Sequence, residues 1–278
     1  MGKMALTEKN IMAVGAHADD IEFNITGTLL KYRKEGYSVT YVMATNNCAG
    51  VWGKLDEKGE RYFEEVPWYV MMPQRKLEAA RAARELFGTE VIHLDYAQRH
   101  YWDRNCVKKE LRYGCEPLNC SGPDVPTIVT AFEDPGEVKK LAGLILEKNP
   151  ECILTHPYAV YTVEHFCTAA LVRKAYFLAC EQGYQGSLLH WIEVETYKYG
   201  CGFVRWNTFI DTTGYGSETK RKALEIHSCQ MPTAKFLDLE DEMYGRECSC
   251  ESAEAFIACR INESHPGALT REFKQHLR

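Results

Sequence analysis

Apolar and polar positions alternate along this chain between two periods, one suited to strands and one to helices. Residues 10–15, Asn-Ile-Met-Ala-Val-Gly, form a short apolar run that reads as a buried strand. A helix is predicted over about residues 27–35, with Gly36 placed as its left-handed stop. Residues 37–45 are β-branched and aromatic and read as a second buried strand. Over residues 73–87, Leu77, Ala80, Ala83 and Phe87 recur at spacings of three and four, which predicts a helix ended by Gly88. A short third strand follows at 91–94. Residues 136–149 return to helical spacing with Val138, Leu141 and Ile145 on one face, and Pro150 blocks continuation. A fourth strand is expected at 151–155, then a helix at 164–181 with Leu171, Ala175 and Leu178 on one face. A later strand at 189–197 and a helix at 218–227 complete the pattern.

Strands separated by helices argue for βαβ units, a mostly parallel sheet and helices on both faces. The expected fold is therefore α/β, with one main domain over residues 1–278. The stretch from about 96 to 133 carries Gly, Pro, Cys and Asn without periodicity and is expected to be an inserted loop or small subdomain. In such folds the working residues gather just beyond the carboxyl ends of the strands.

Charge and composition narrow the class. Lys and Arg total 33 against 39 Asp and Glu, a formal charge of -6, which disfavours sequence-independent nucleic-acid binding. No stretch is long and apolar enough to span a bilayer, and the run at 11–16 is too short for a signal-peptide core. A cytoplasmic protein with no membrane or nucleic-acid partner is expected. The 12 cysteines are scattered without a C-x-x-C pair, so reduced thiols, several of them buried, are the main expectation. A structural metal on Cys106, Cys115 and Cys120 is the lesser alternative.

Three predicted strand ends are polar. The first runs into Ala16-His17-Ala18-Asp19-Asp20-Ile21-Glu22, the second into Asn46-Asn47, and the fourth into Thr155-His156-Pro157, with His165 nine residues beyond His156. A zinc-type cation accepts His nitrogen and carboxylate oxygen, and a catalytic site keeps three protein ligands and one open position. One tight turn can bring His17 and Asp20 to a single ion, with His165 as third ligand if strands one and four are neighbours. Asp19 would then stand beside the open position, placed to take a proton from water. A polar turn capping a helix is the competing reading of the first cluster, and hydrogen-bonded structural histidines that of the second. No G-x-G-x-x-G, P-loop or G-x-S-x-G motif occurs, which disfavours dinucleotide, P-loop nucleotide and serine-hydrolase chemistry.

In this order the residues resemble the PIG-L/LmbE-like family of metal-dependent N-deacetylases. The family motif A-H-P-D-D-E corresponds to residues 16–22. Arg75-Lys76-Leu77-Glu78, Ala79-Ala80 and Leu86-Phe87-Gly88 are similar to its R-x-x-E…A-A…L-G helix, and Thr155-His156 with His165 to its T-H…H-P-D-H block. Lys222-Ala223-Leu224, His227-Ser228-x-Gln230 and Ala253-Glu254-Ala255-Phe256 are similar to its later segments. The likeness covers most of the chain except roughly residues 98–126.

The resemblance implies a Rossmann-like three-layer sandwich, His17, Asp20 and His165 as metal ligands, Asp19 as general base and Arg75 as a substrate contact. Zn2+ is the implied cofactor, with another divalent metal left open. Two departures stand out. Ala18 replaces the motif's proline and Glu22 its acid one place late. Thr162 and Glu164 fall where the family has the first histidine and the aspartate of H-P-D-H. That histidine is implied to polarise the amide oxygen or protonate the leaving amine, and a threonine cannot act as a cationic acid. His156, Tyr158 and Tyr161 are the candidates to compensate.

The expected activity is zinc-dependent removal of an N-acyl group, acetyl foremost, from an amino sugar or related small conjugate. Asp19, Thr162 and His156 are the expected catalytic groups, and Arg75, Asn46 and Tyr161 the expected substrate contacts. The aromatics Trp52, Tyr62, Trp68 and Trp102 are read either as a sugar-stacking surface or as loop anchors. The alternative is a metal- or sugar-binding protein on the same scaffold with little hydrolytic power. A lyase or an amidase on a non-sugar substrate is a weaker third reading. Homo-oligomerisation is left open.

Overall fold

Strand and helix alternate through most of the computed structural model, which describes residues 9–110, 126–193, 206–230 and 237–260. In chain order the elements are β1 (Asn10–Gly15), α1 (Asp20–Lys34), β2 (Ser38–Thr45), β3 (Val51–Leu55), β4 (Arg61–Glu65), α2 (Trp68–Phe87) and β5 (Val91–Tyr96). There follow β6 (His100–Trp102), β7 (Lys108–Glu110), α3 (Ile128–Ala131), α4 (Pro135–Lys148), β8 (Cys152–Thr155), α5 (Val163–Glu181) and β9 (Ser187–Trp191). The last are β10 (Thr208–Asp211), α6 (Ser217–Leu224), α7 (Leu237–Cys248) and β11 (Ala253–Arg260).

One seven-stranded sheet organises the molecule, in the order β10-β11-β9-β8-β1-β2-β5. The five strands from β9 to β5 are parallel, whereas β11 and β10 add on antiparallel. Strands buried on both faces need uninterrupted apolar residues, and β1 supplies them: Ile11, Met12, Ala13 and Val14 are all buried. Helices α1 and α2 cover one face, where Ile21, Ile25, Leu29, Ala79, Ala83 and Phe87 pack on Ile11, Ala13 and Tyr41. On the other face α4 and α5 bring Leu141, Ala142, Ile145, Leu171, Val172 and Ala175 onto Met12, Val14 and Ile153. This is the α/β three-layer sandwich expected from the sequence. The chain leaves β1 towards β2 and β5 on one side and returns to β8 on the other. The strand order therefore reverses beside β1, the place where open α/β sheets form a crevice.

Local chemistry sets the helix ends. At α4, the Asp134 carboxylate accepts the Gly136 and Glu137 N–H groups at 2.7 and 3.3 Å, with Pro135 in the first turn. Helix α1 starts at Asp20, earlier than expected, because it is two helical pieces joined at Ile25, whose φ of -136° is not helical. The break frees backbone N–H groups, and the Glu254 carboxylate from β11 accepts those of Gly27 and Thr28 at 3.0 and 2.9 Å. Lys220 on α6 neutralises that carboxylate at 3.1 Å. Gly27 is required there: a Cβ would lie 2.7 Å from the Tyr215 carbonyl oxygen.

Other expectations need correcting. Helix α2 begins at Trp68 and runs through Pro73, forgoing one backbone bond. Leu77, expected on its inner face, is 59% exposed, while Arg75 and Glu78 are buried. That inner face is partly polar because it serves the carboxyl edge of the sheet, so apolar spacing alone misorients it. Strand β9 ends at Trp191, short of the expected 197, and residues 194–200 lie outside the described residues. Of the stretch 96–133, residues 111–125 also lie outside them, as do Cys115, Cys120 and Cys201. The described part of that stretch holds the β6–β7 hairpin and α3. Cys48, Cys152, Cys167 and Cys229 are buried free thiols. Among the described residues no helix is long and apolar enough to cross a membrane.

Candidate active site

The carboxyl ends of β1, β8 and β9 converge on one polar cluster. Beyond β1 the backbone turns through Asp19, which adopts φ 95°, a left-handed conformation unusual for a non-glycine residue. The Asp20 carboxylate accepts the His17 N–H at 2.5 Å and closes the turn. Thr45, the last residue of the neighbouring strand β2, and Asn47 just past it hold the same loop: Thr45 Oγ1 donates to the Ala16 carbonyl, and Asn47 Oδ1 accepts the Ala18 N–H. Across β8 and α5, His165 stands on the first turn of the helix.

His17, Asp20 and His165 are brought together from three parts of the chain. His17 Nδ1 lies 3.1 Å from His165 Nε2, His165 Nε2 lies 3.3 Å from Asp20 Oδ1, and His17 Nδ1 lies 3.6 Å from Asp20 Oδ2. Ligand atoms at about 2.0–2.1 Å from a tetrahedral cation sit roughly 3.3 Å from one another. Two imidazoles and one carboxylate at this spacing fit a zinc-type divalent ion. Burial drives the His17 imidazole down to about 4, so it is neutral at ordinary pH and has a lone pair to offer. Burial opposes ionisation of Asp20, but the His165 and His156 imidazoles outweigh it and hold that carboxyl well below its usual range.

Glu193, two residues past β9, is the member of the cluster that the sequence reading missed. It is 4% exposed and accepts three N–H donors: His156 Nδ1 and Trp191 Nε1 (3.1 Å) on Oε1, and His165 Nδ1 (3.0 Å) on Oε2. Burial raises its carboxyl, yet His165 and His156 outweigh this and bring it down to about 2. The available signal was the strand-end rule. Had β9 been stopped at Trp191 instead of being extended to 197, Glu193 would have fallen at the carboxyl edge.

The expected catalytic and substrate residues are placed as follows. Asp19 is 21% exposed at its side chain, 3.1 Å from Arg75 Nη2, and burial pushes its carboxyl up to about 6 against the pull of Arg75. Arg75 is buried and also donates to the Ala18 carbonyl, so it braces the turn from α2. Asn46 is buried, and its Oδ1 accepts the Cys48 N–H at 3.0 Å, which makes it a loop brace. Tyr161 is 65% exposed. Thr162 caps α5 without a side-chain capping bond.

His156, expected to compensate for the missing family histidine, is fully buried. Its Nδ1 donates to Glu193 and its Nε2 accepts the Ala16 N–H at 2.8 Å. With both nitrogens engaged it supports the ligand loop. Glu164, in the place of the family aspartate, is buried and accepts the Arg99 N–H at 3.3 Å. Burial raises its carboxyl, but His17 and Arg99 prevail and hold it below the usual range. Glu22 is also fully buried and accepts Tyr41 Oη at 3.2 Å and His227 Nε2 at 3.0 Å, which links the first motif to the C-terminal half.

Several known proteins share this fold. The 4-carboxy-2-hydroxymuconate hydratase GalB from Pseudomonas putida KT2440 is 20% identical, with 92% of this chain and 98% of that chain covered at a TM-score of 0.64. N,N'-diacetylchitobiose deacetylase from Pyrococcus horikoshii is 18% identical over 90% of this chain and 83% of that one, with a TM-score of 0.62. The A40926 pseudoaglycone deacetylase is 16% identical over 91% and 96%, with a TM-score of 0.57. At these identities the likeness establishes a shared fold. The family model described as PIG-L, GlcNAc-PI de-N-acetylase, matches residues 12–176, a span that contains most of β1, all of β8 and the His17–Asp20–His165 cluster. On that match the chain belongs to the GlcNAc-PI de-N-acetylase (PIG-L) family.

Proposed function

We propose that the protein is a zinc-dependent hydrolase that removes an N-acyl group, acetyl foremost, from an amino sugar or a related small conjugate. The observation that carries this reading is the mutual spacing of His17 Nδ1, Asp20 and His165 Nε2 with the Asp19 carboxylate on the same turn. Family membership and the deacetylases among the structural neighbours support it.

His17, Asp20 and His165 would hold the cation. When bound, such a cation supplies Lewis acidity, polarising an acyl carbonyl and making water a nucleophile near neutral pH. Asp19 accepts the proton of the attacking water on its carboxylate, and the same carboxyl later returns it to the departing amine nitrogen. Its pKa, raised to about 6, suits both directions of transfer. Arg75 keeps Asp19 oriented through the contact to Oδ1. His156 is assigned to bracing rather than proton delivery, because both its nitrogens are committed.

Thr162 favours a second reading. Where the family histidine would assist a leaving amine, this chain has a hydroxyl and no substitute among His156's free valences. Addition of water to an activated carbon–carbon double bond expels no amine, and one neighbour of the same fold is a hydratase. Losing one such donor costs an amidase about 10²–10³ in turnover.

Elemental analysis of the purified protein, with acetate release measured on a panel of N-acetylated amino sugars, tests the proposal. One zinc per chain with acetate release supports it. Stoichiometric zinc without release of any acyl group refutes the hydrolase and leaves the hydratase or a metal-dependent binding protein.

A further inference from the structure

We propose that Glu193 is a positioning residue that fixes the proton of both His156 and His165 on Nδ1, so that one carboxylate aims the ligand nitrogen of His165 and anchors the ligand loop. The inference rests on the metal reading above.

His156 decides the first half through its nearer partner: Asp20 Oδ2 stands 3.1 Å from Nε2, but a backbone N–H comes closer to the same nitrogen. The Ala16 backbone N–H points at His156 Nε2 from 2.8 Å, so that nitrogen presents a lone pair and the ring proton is on Nδ1, where Glu193 Oε1 accepts it. Ala16 directly precedes His17, so Glu193 reaches the start of the ligand loop through a single ring. The second half follows from Glu193 Oε2, which is acceptor-only when ionised and lies 3.0 Å from His165 Nδ1. That bond leaves Nε2, the nitrogen facing His17 and Asp20, as the metal-binding atom. The two rings stack at 4.1 Å and 21°, which locks their relative orientation.

His156, His165 and Glu193 also meet the distance condition for a cation of their own. The hydrogen bonds argue against that use. A cation there would have to displace the proton of each Nδ1 and the Trp191 N–H from a fully buried position. The trio is a brace for the neighbouring centre.

Only a carboxylate of this length serves the purpose, since three N–H donors converge on two acceptor oxygens. In Glu193→Gln one acceptor becomes an N–H donor. Either His165 then carries its proton on the cation-facing nitrogen, or His156 turns an N–H against that of Ala16. Zinc affinity of the folded variant, measured by chelator competition, is expected to fall 10–100-fold. Glu64→Gln on the separate β3–β4 hairpin, where the side chain is 42% exposed, serves as control and is expected to match wild type. A Glu193→Gln protein that holds zinc within threefold of wild type overturns the proposal. If that variant does not fold, nitrogen-15 histidine spectra of zinc-loaded wild type decide. Protons on Nδ1 of both His156 and His165 support the brace, and a proton on Nε2 of either overturns it. Wild-type protein that takes up no zinc overturns the metal reading itself and this inference with it, an outcome distinct from intact binding in the variant.

Discussion

Glu254 offers a test of the fold that does not depend on the proposed activity. Its carboxylate takes the Gly27 and Thr28 N–H groups freed at the break in α1 and pairs with Lys220 at 3.1 Å. The two side chains are only 2% and 4% exposed. An exposed ion pair is worth about 0–1 kcal/mol, but removing one partner of a buried pair costs about 3–5 kcal/mol, because the other charge stays uncompensated. Glu254→Gln keeps the size and one acceptor oxygen while removing the negative charge 3.1 Å from the Lys220 ammonium. The expected loss is therefore about 3–5 kcal/mol, a large share of the 5–15 kcal/mol typical of a domain. With a urea slope of about 3 kcal/mol/M, the unfolding midpoint falls by roughly 1–2 M. Lys220→Met should be milder, since Glu254 keeps both backbone donors. The double variant should be less destabilised than the sum of the singles by at least about 1 kcal/mol, as contacting residues are not additive. A midpoint shift equivalent to less than about 1 kcal/mol for Glu254→Gln, or strict additivity in the cycle, would refute the idea that this carboxylate holds the two halves of α1 together.

Three further outcomes are expected. Asp19→Asn should keep stoichiometric zinc while turnover drops about 10²–10⁴-fold, read as metal content beside initial rates; loss of the metal instead would make Asp19 a ligand. Gly27→Ala should destabilise by about 1–3 kcal/mol in thermal or urea unfolding, since its Cβ would sit 2.7 Å from a carbonyl oxygen; an unchanged midpoint would mean the backbone yields freely. Leu77→Ser should leave stability within about 0.5 kcal/mol by the same assay, because the side chain is 59% exposed; a loss of 2 kcal/mol or more would restore it to the core.

The alternation of strands and helices was readable because buried parallel strands must be apolar throughout, as β1 and β8 are. His17 and Asp20 were readable because they follow β1 directly, and His165 because it opens the helix that follows β8. What escaped the sequence reading shares a different physical origin. The start of α1 was hidden by the break at Ile25, whose compensation lies at Glu254, over two hundred residues away. The inner face of α2 was misassigned because Arg75 and Glu78 are buried for polar work, so burial and apolarity part company there. Glu193 was missed because a carboxylate just past a strand is ordinary until its three donors are known. The hairpin β3–β4 lies off the main sheet and gave no clear alternation.

The placing of β1 has one more consequence. It lies in the interior of the sheet with a hydrogen-bonded neighbour on each side, whereas β10 and β5 form the borders. Backbone opening in a folded protein spreads from weakly held margins, and interior strands yield only when the whole structure does. The ring and carboxylate carried past β1 are therefore anchored to a strand whose backbone is expected to exchange slowly. Fraying at either border leaves them standing, so their loss should coincide with global melting rather than precede it.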